Sequence, residues 1–445
     1  MLTSKNWFIL AGLLLLSSLA YAEHTFALSE DLNLRLGGDI RTRFEGFDRT
    51  VLAPDGMDEN YPPLQYLRVR SRAWMALDLG DSMTINLRLV NRVHKVSSSP
   101  NDPNDLDGAT WEFPDEVIVD NFNVVLKNFL SEGFTLTLGR QSLGFGNGLI
   151  LSEGTPFDQG RTVYMDGASL RYKDENDCVT VFMFYDEWKD RTVFINDQNR
   201  RLRVGDVFTA GTYWTHNFSP AWNLDLYYLF NDVEDEFPTV AERYHDADCS
   251  TSLHTAGGRL FGKPLEDWEY SLEIAKQAGR NASGGRNEGL LIDARLKYYL
   301  TEYLPWDPSL GCNYTHYSGD KSSSRPSEGW NSLLSQAPLW QEELIPILTN
   351  GNWTNMNIFR GDLTLNPLAK LKVVLASTAY YVDEPDTPVR SGNGNYMGLL
   401  LSACASYKLN DNFNFVFQFS RFDPGDYYAN GQHSNWGRFE VTMTF

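Results

Sequence analysis

Arg68, Arg70 and Arg72 stand at alternate positions of the stretch YLRVRSRAWMALDLG, residues 66–80, with Leu67, Val69, Ser71, Ala73, Met75, Leu77 and Leu79 in the other phase. A guanidinium is a planar, permanently charged fork of donors that grips a carboxylate through two parallel hydrogen bonds. Three in a row make a surface that attracts anions. On a helix they would scatter around the cylinder; on a strand, where side chains alternate, they share one face and leave the other apolar. Arg35, Arg41, Arg43, Arg88, Arg92, Arg171, Arg295, Arg360 and Arg438 take the same polar phase of their own alternating segments, as do Asp39, Glu45, Asp78, Asp225, Glu273, Asp293, Asp362 and Glu440. Ordinary ion pairing within a wall accounts for any one arginine of such a set. The row at 68–72 is harder to neutralise in place and predicts a residual positive strip.

The elements that carry these residues follow from the same two-residue period. Clear alternation covers 34–44, 67–79, 85–93, 224–230, 272–274, 290–300, 371–381 and 413–419, and weaker alternation covers 116–126, 134–142, 163–172, 179–185, 206–215, 253–261, 309–317, 355–365 and 397–407. The terminal RFEVTMTF, 438–445, brings the total to 18, the even number that a closed single-chain bacterial barrel requires. Short links such as LGDSM, KDEND, NPLAK and KLNDN alternate with long ones at 46–64, 95–115, 143–162, 186–205, 231–252, 279–289, 318–354, 382–395 and 422–434. Short periplasmic turns and long outer loops are the habit of membrane barrels. The fold predicted is all-β, an 18-stranded antiparallel transmembrane β-barrel. The arginine face is its lumen, because an arginine facing lipid at mid-bilayer costs ~2–4 kcal/mol. Any gate has to come from the outer loops, of which 318–354 and 231–252 are the longest.

Composition agrees with this without requiring it. The formal charge of −20 lies largely in loops: 231–252 holds Asp232, Glu234, Asp235, Glu236, Glu242, Asp246 and Asp248 against Arg243. A mean hydropathy of −0.37 suits a soluble protein equally well, since only alternate barrel residues meet lipid. Residues 1–22 read as a cleaved secretory signal, with Lys5, an apolar run from Trp7 to Leu19 and Ala20-Tyr21-Ala22, leaving 23–445 as a single barrel domain. Such a chain is expected in a Gram-negative outer membrane. Cys178, Cys249, Cys312 and Cys404 match no metal spacing, and a disulfide among them is left open. NDPNDLDG, 101–108, lacks the ligand spacing of a calcium loop. No motif calls for a cofactor, a metal or a nucleic-acid partner. The pair His316 and Ser318 has the His-x-Ser spacing of outer-membrane phospholipases, a weak signal without a third orienting group.

Taken in order, LRVRSRAWMALDLG, EVIVDNFNVVLKN, TLGRQSLGFGNGLIL, TVYMDGASLRY, CNYTHYSGD and FSRFDPGDYY resemble conserved blocks of the alginate export outer-membrane porin family, over nearly the whole mature chain. The resemblance implies a passive channel whose electropositive lumen passes a linear anionic polysaccharide or oligosaccharide, with outer-membrane lipid and lipopolysaccharide around it and a gradient or a periplasmic export partner driving any outward flux. By matched block, Arg68, Arg70 and Arg72 are pore arginines, and Arg140, Arg171, Arg259 and Arg360 join Glu273 and Asp362 at the constriction. Arg43, Arg88 and Arg295 complete the expected lining. Alternation from Leu136 and Leu138 points Arg140 to lipid, so a bulge at Gly139 or a position near the membrane boundary is needed to bring it in. Where the family has acidic residues in the sixteenth strand, this chain has GLLLSA, 398–403, which lowers lumen polarity there. A general anion porin for small acids is the alternative function.

Overall fold

A computed structural model describes residues 23–48, 64–97, 111–112, 116–152, 165–187, 193–196, 205–234, 251–281, 285–300, 304–321, 326–332, 334–335, 353–385, 392, 394–428 and 432–445. Residues 1–22, expected to be a signal segment, the acidic stretch 101–108, most of loop 231–252 and Cys249 lie outside the described residues. The other three cysteines, Cys178, Cys312 and Cys404, are free.

Of the twenty-one strands among the described residues, three are short accessory pieces and eighteen form the wall. In chain order the wall strands are β1 (Leu32–Phe47), β2 (Leu64–Leu79), β3 (Met83–Ser97), β4 (Glu116–Lys127), β5 (Phe134–Gln141), β6 (Met165–Lys173), β7 (Asp177–Asp186), β8 (Asp206–Ser219) and β9 (Trp222–Glu234). They continue with β10 (Thr251–Leu265), β11 (Trp268–Asn281), β12 (Arg286–Tyr299), β13 (Ser309–Tyr317), β14 (Met356–Leu368), β15 (Leu371–Val382), β16 (Tyr396–Lys408), β17 (Phe413–Pro424) and β18 (Ser434–Thr444). Each pairs antiparallel with the next, and β18 returns to β1 from Asp39↔Thr444 to Phe47↔Trp436, so the sheet has no open side. All eighteen expected segments fall on these strands, with edges displaced by a few residues. The short strands were not anticipated: His24–Ser29 prolongs the seam beside Leu32–Leu36, Trp111–Glu112 pairs with β3, and Val193–Asn196 pairs with the start of β4. Each is too brief to show a period of its own.

Alternation separates two environments. In β7, Val181, Met183 and Tyr185 point outward and are exposed, while Thr180, Phe182, Phe184 and Asp186 are buried inside. Outward residues elsewhere are of the same kind, among them Phe44, Leu226, Ile274, Phe359, Leu401, Phe417 and Phe439, as a lipid-facing band requires. No helix is present among the described residues.

The lumen is not polar throughout. Toward the long-loop rim, Phe182, Phe184, Leu229, Leu291, Tyr317, Met356, Ile358, Tyr380, Leu400 and Phe422 face inward and are buried. Two stretches of outer loop fold down onto them. The segment 142–152 buries Leu149, Ile150 and Leu151, and the segment 326–335 buries Trp330. They meet at a parallel bridge between Leu151 and Leu334. The described part of loop 318–354 thus takes part in this inward fold, together with 143–152 of the earlier loop, which length alone did not single out. Leu400, from GLLLSA, has apolar surroundings here, which accounts for the absence of an acid at that height.

Candidate functional site: the charged lumen and the segment that crosses it

The seam strands carry a ladder of charge. Across β18, β1, β2 and β3 the register sets Glu440 opposite Arg43, Arg43 opposite Arg68, Asp39 opposite Arg72, and Arg41 opposite Arg70, which is opposite Arg92. Like charges directly opposite repel, so carboxylates are interleaved one step away. Arg68 holds Glu45 with both prongs, Nε to Oε1 at 3.0 Å and NH2 to Oε2 at 2.7 Å. Arg70 and Arg72 share Asp39, at 3.4 Å to Oδ1 and 2.7 Å to Oδ2. Arg43 pairs with Glu440, and Arg438 reaches Glu45 at 3.4 Å. Five arginines thus lean on three carboxylates. The pairing expected of single arginines occurs, and among these eight side chains the arginines outnumber the carboxylates by two. Arg43 and Arg70 are buried, whereas Arg68 and Arg72 are part-exposed.

Toward the short-turn rim the ladder continues through Arg88, paired with Asp120, and Arg35, which donates from Nε to Asp78 Oδ2 at 2.8 Å. Asp120 owes its place to a bulge: between Arg88 and Leu89 the β4 partner jumps from Asn121 to Val119. Arg171 is exposed, donates to Cys178 Sγ at 3.2 Å, and has no ion pair among the described residues. Arg140 faces inward and is buried, with Nε and NH2 on Asp166 at 2.8 and 2.7 Å and NH1 on Val119 O at 2.7 Å. Simple alternation placed it in lipid. The phase changes at Gly139, whose φ of +112° turns the next side chain inward without breaking the β4–β5 register. A Cβ there would lie 2.4 Å from Phe122 O, so the position needs glycine.

The opposite wall carries the remaining expected residues. Arg259 donates from Nε to Asp225 Oδ2 at 2.7 Å and lies over the Phe261 ring at 4.0 Å. Arg295 donates to Asp293 at 2.7 Å, and Arg360 to Asp362 at 3.3 Å. Buried Glu273 accepts from the Tyr227 hydroxyl at 2.9 Å, and buried Asp225 from the Tyr213 hydroxyl at 2.6 Å. The expected lining residues therefore form two groups on facing walls instead of one ring.

Between the walls runs the tip of segment 142–152, which the residue-by-residue reading missed. Phe145 stacks on Tyr213 with centroids 4.2 Å apart, and Tyr213 on Tyr227 at 5.4 Å. Asn147 donates to Ser271 Oγ at 3.2 Å and Asp293 Oδ2 at 3.1 Å and accepts from Arg259 at 3.2 Å. Cavities of about 800 and 530 Å³ flank the tip, and Arg259 lines both. The only advance signal was the glycine-spaced LGFGNG run, whose side-chain contacts to the walls come from other strands.

The side chains of His316 and Ser318 are bonded to other residues and not to each other. The Ser318 hydroxyl donates to Glu328 O at 2.7 Å and accepts from Leu290 N at 2.8 Å, pinning a strand end, while His316 Nδ1 lies 2.9 Å from Asn357 Oδ1. Among the described residues no group of three or more His, Cys, Asp or Glu could hold a metal ion.

Solved structures with the same fold include Pseudomonas aeruginosa OccK7 (OpdD), at TM-score 0.58 and 12% identity over 93% of this chain and 98% of that one. Acinetobacter baumannii OccAB2 gives 0.58 and 13% over 92% and 98%, and P. aeruginosa OpdK with vanillate gives 0.56 and 12% over 92% and 98%. The curated proteins give no match. The family model described as alginate export matches residues 32–442, from the first wall strand to the last. The chain belongs to the alginate export family.

Proposed function

We propose that this protein is a passive channel of the outer membrane that passes an anionic polysaccharide or oligosaccharide of the alginate type along its arginine ladder. The observation that carries the reading is the excess of Arg43, Arg68, Arg70, Arg72 and Arg438 over Asp39, Glu45 and Glu440 on one lumen wall. Arg68 and Arg72, the part-exposed members, each share a carboxylate with a buried arginine, so an incoming uronate exchanges one partner for another and is not trapped, as conduction requires. Arg171 adds a cation that has no ion pair among the described residues, in the larger of the two cavities. Polymer leaving the cell would draw its driving force from a gradient or a periplasmic partner.

The test is ion selectivity in planar bilayers, with and without oligouronates, for the wild type and for Arg68→Ala/Arg70→Ala/Arg72→Ala. We expect anion preference and uronate block in the wild type, both weakened in the variant, which leaves Asp39 with no arginine from β2. Cation preference, or indifference to uronates and to the substitutions, would remove this reading. The second reading, a porin for small acids, draws on the modest size of the two cavities and on the vanillate in the OpdK structure. It predicts flux of small carboxylates without block by longer uronates.

A further inference from the structure

The base and the tip of segment 142–152 are held by different forces. The base is apolar and sealed: Leu149, Ile150 and Leu151 are almost wholly buried, and Ser152 N donates to Leu334 O at 3.3 Å. The tip is a tight turn, with Gly148 N donating to Phe145 O at 2.9 Å and positive φ at Gly146 and Gly148. It is held by the Phe145 ring, stacked on Tyr213 and tilted against Phe182 at 5.6 Å, and reaches the opposite wall through the amide of Asn147. An 18-stranded barrel otherwise encloses a water-filled channel. Here the tip stands between two cavities of about 800 and 530 Å³, within the ~300–1,000 Å³ range of small-molecule sites.

We propose that Phe145 and Asn147 form the size selector of the channel. With the tip fastened to Tyr213 and Asp293, the barrel admits single acidic sugars and short oligouronates; a longer chain passes only when the tip lets go. The proposal rests on the channel reading and adds a length limit set by two residues. The seated tip also explains why Arg259 lines both cavities: it lies beside Asn147, at the point where the two passages adjoin.

The experiment compares wild type, Asn147→Ala and Phe145→Ala/Asn147→Ala, each first checked for the folded form by its heat-dependent shift on SDS gels. Single-channel conductance is read in planar bilayers, and permeation of uronate oligomers of graded length in vesicles. Release of the tip should raise conductance severalfold in the double variant, with a smaller rise for Asn147→Ala, and should lengthen the longest oligomer admitted. Asn147→Ala leaves the apolar base untouched and decides the matter if the double variant does not fold. Unchanged conductance and unchanged length limit would overturn the proposal and make the tip a static brace. A wild type with no conductance would instead refute the channel reading beneath it.

Discussion

Asp39 shows how single residues carry the charged wall. Its carboxylate lies between the guanidinium groups of Arg70 and Arg72 and is itself buried, so removing it strands two neighbouring cations of one strand, the first of which already lies opposite Arg41. Breaking a buried pair from one side costs ~3–5 kcal/mol. Asp39→Ala should therefore lower the urea midpoint of the folded barrel by more than Arg72→Ala does, because the arginine variant leaves the carboxylate with Arg70. Equal losses would mean that water screens the ladder more than the burial implies. Asp225 and Asp293 are of a different sort: each accepts three or more hydrogen bonds, and each fixes side chains of neighbouring strands in place. Their role is to hold Arg259 and Arg295 in position.

Among the elements, β5 departs most from a plain alternating strand. Leu136 and Leu138 keep the lipid phase, Gly139 changes it, and Arg140 and Gln141 finish inside, where Gln141 accepts from Ser169 Oγ at 2.6 Å. The bulge at Asp120 in β4 lies beside this change and supplies a partner for Arg88. Gly139→Ala combines a positive φ with a Cβ pressed on the Phe122 carbonyl; strain of this kind costs ~1–3 kcal/mol. We expect a lower yield of heat-shifted, folded barrel and a weaker Arg140 contact to Asp166. A variant as stable as the wild type would show that β5 can carry Arg140 inward by another route.

At the scale of the whole molecule the seam between β1 and β18 decides closure. Phe445 exchanges backbone hydrogen bonds with Gly38, 2.7 Å from Gly38 N to Phe445 O and 2.9 Å in return, and its ring is packed against Gly38. Buried phenylalanine truncations cost ~3–5 kcal/mol, so Phe445→Ala should hasten unfolding in SDS on heating; an unchanged rate would assign closure to the ladder hydrogen bonds alone. How far the sequence foretells this molecule follows from what each feature depends on. Strand number, the rim for each loop and the face of Arg68, Arg70 and Arg72 depend on a local two-residue period, and the chain states that period directly. The inward turn of Arg140, the sharing of Asp39 and Glu45, the apolar outer lumen around Leu400 and the crossing of Phe145 and Asn147 depend on partners carried by other strands, from 23 to 393 residues away in sequence for the two arginines on Glu45, or on a backbone angle at one glycine. A period carries no information about which distant side chain completes a hydrogen bond or fills a space, so only the closed barrel decided them.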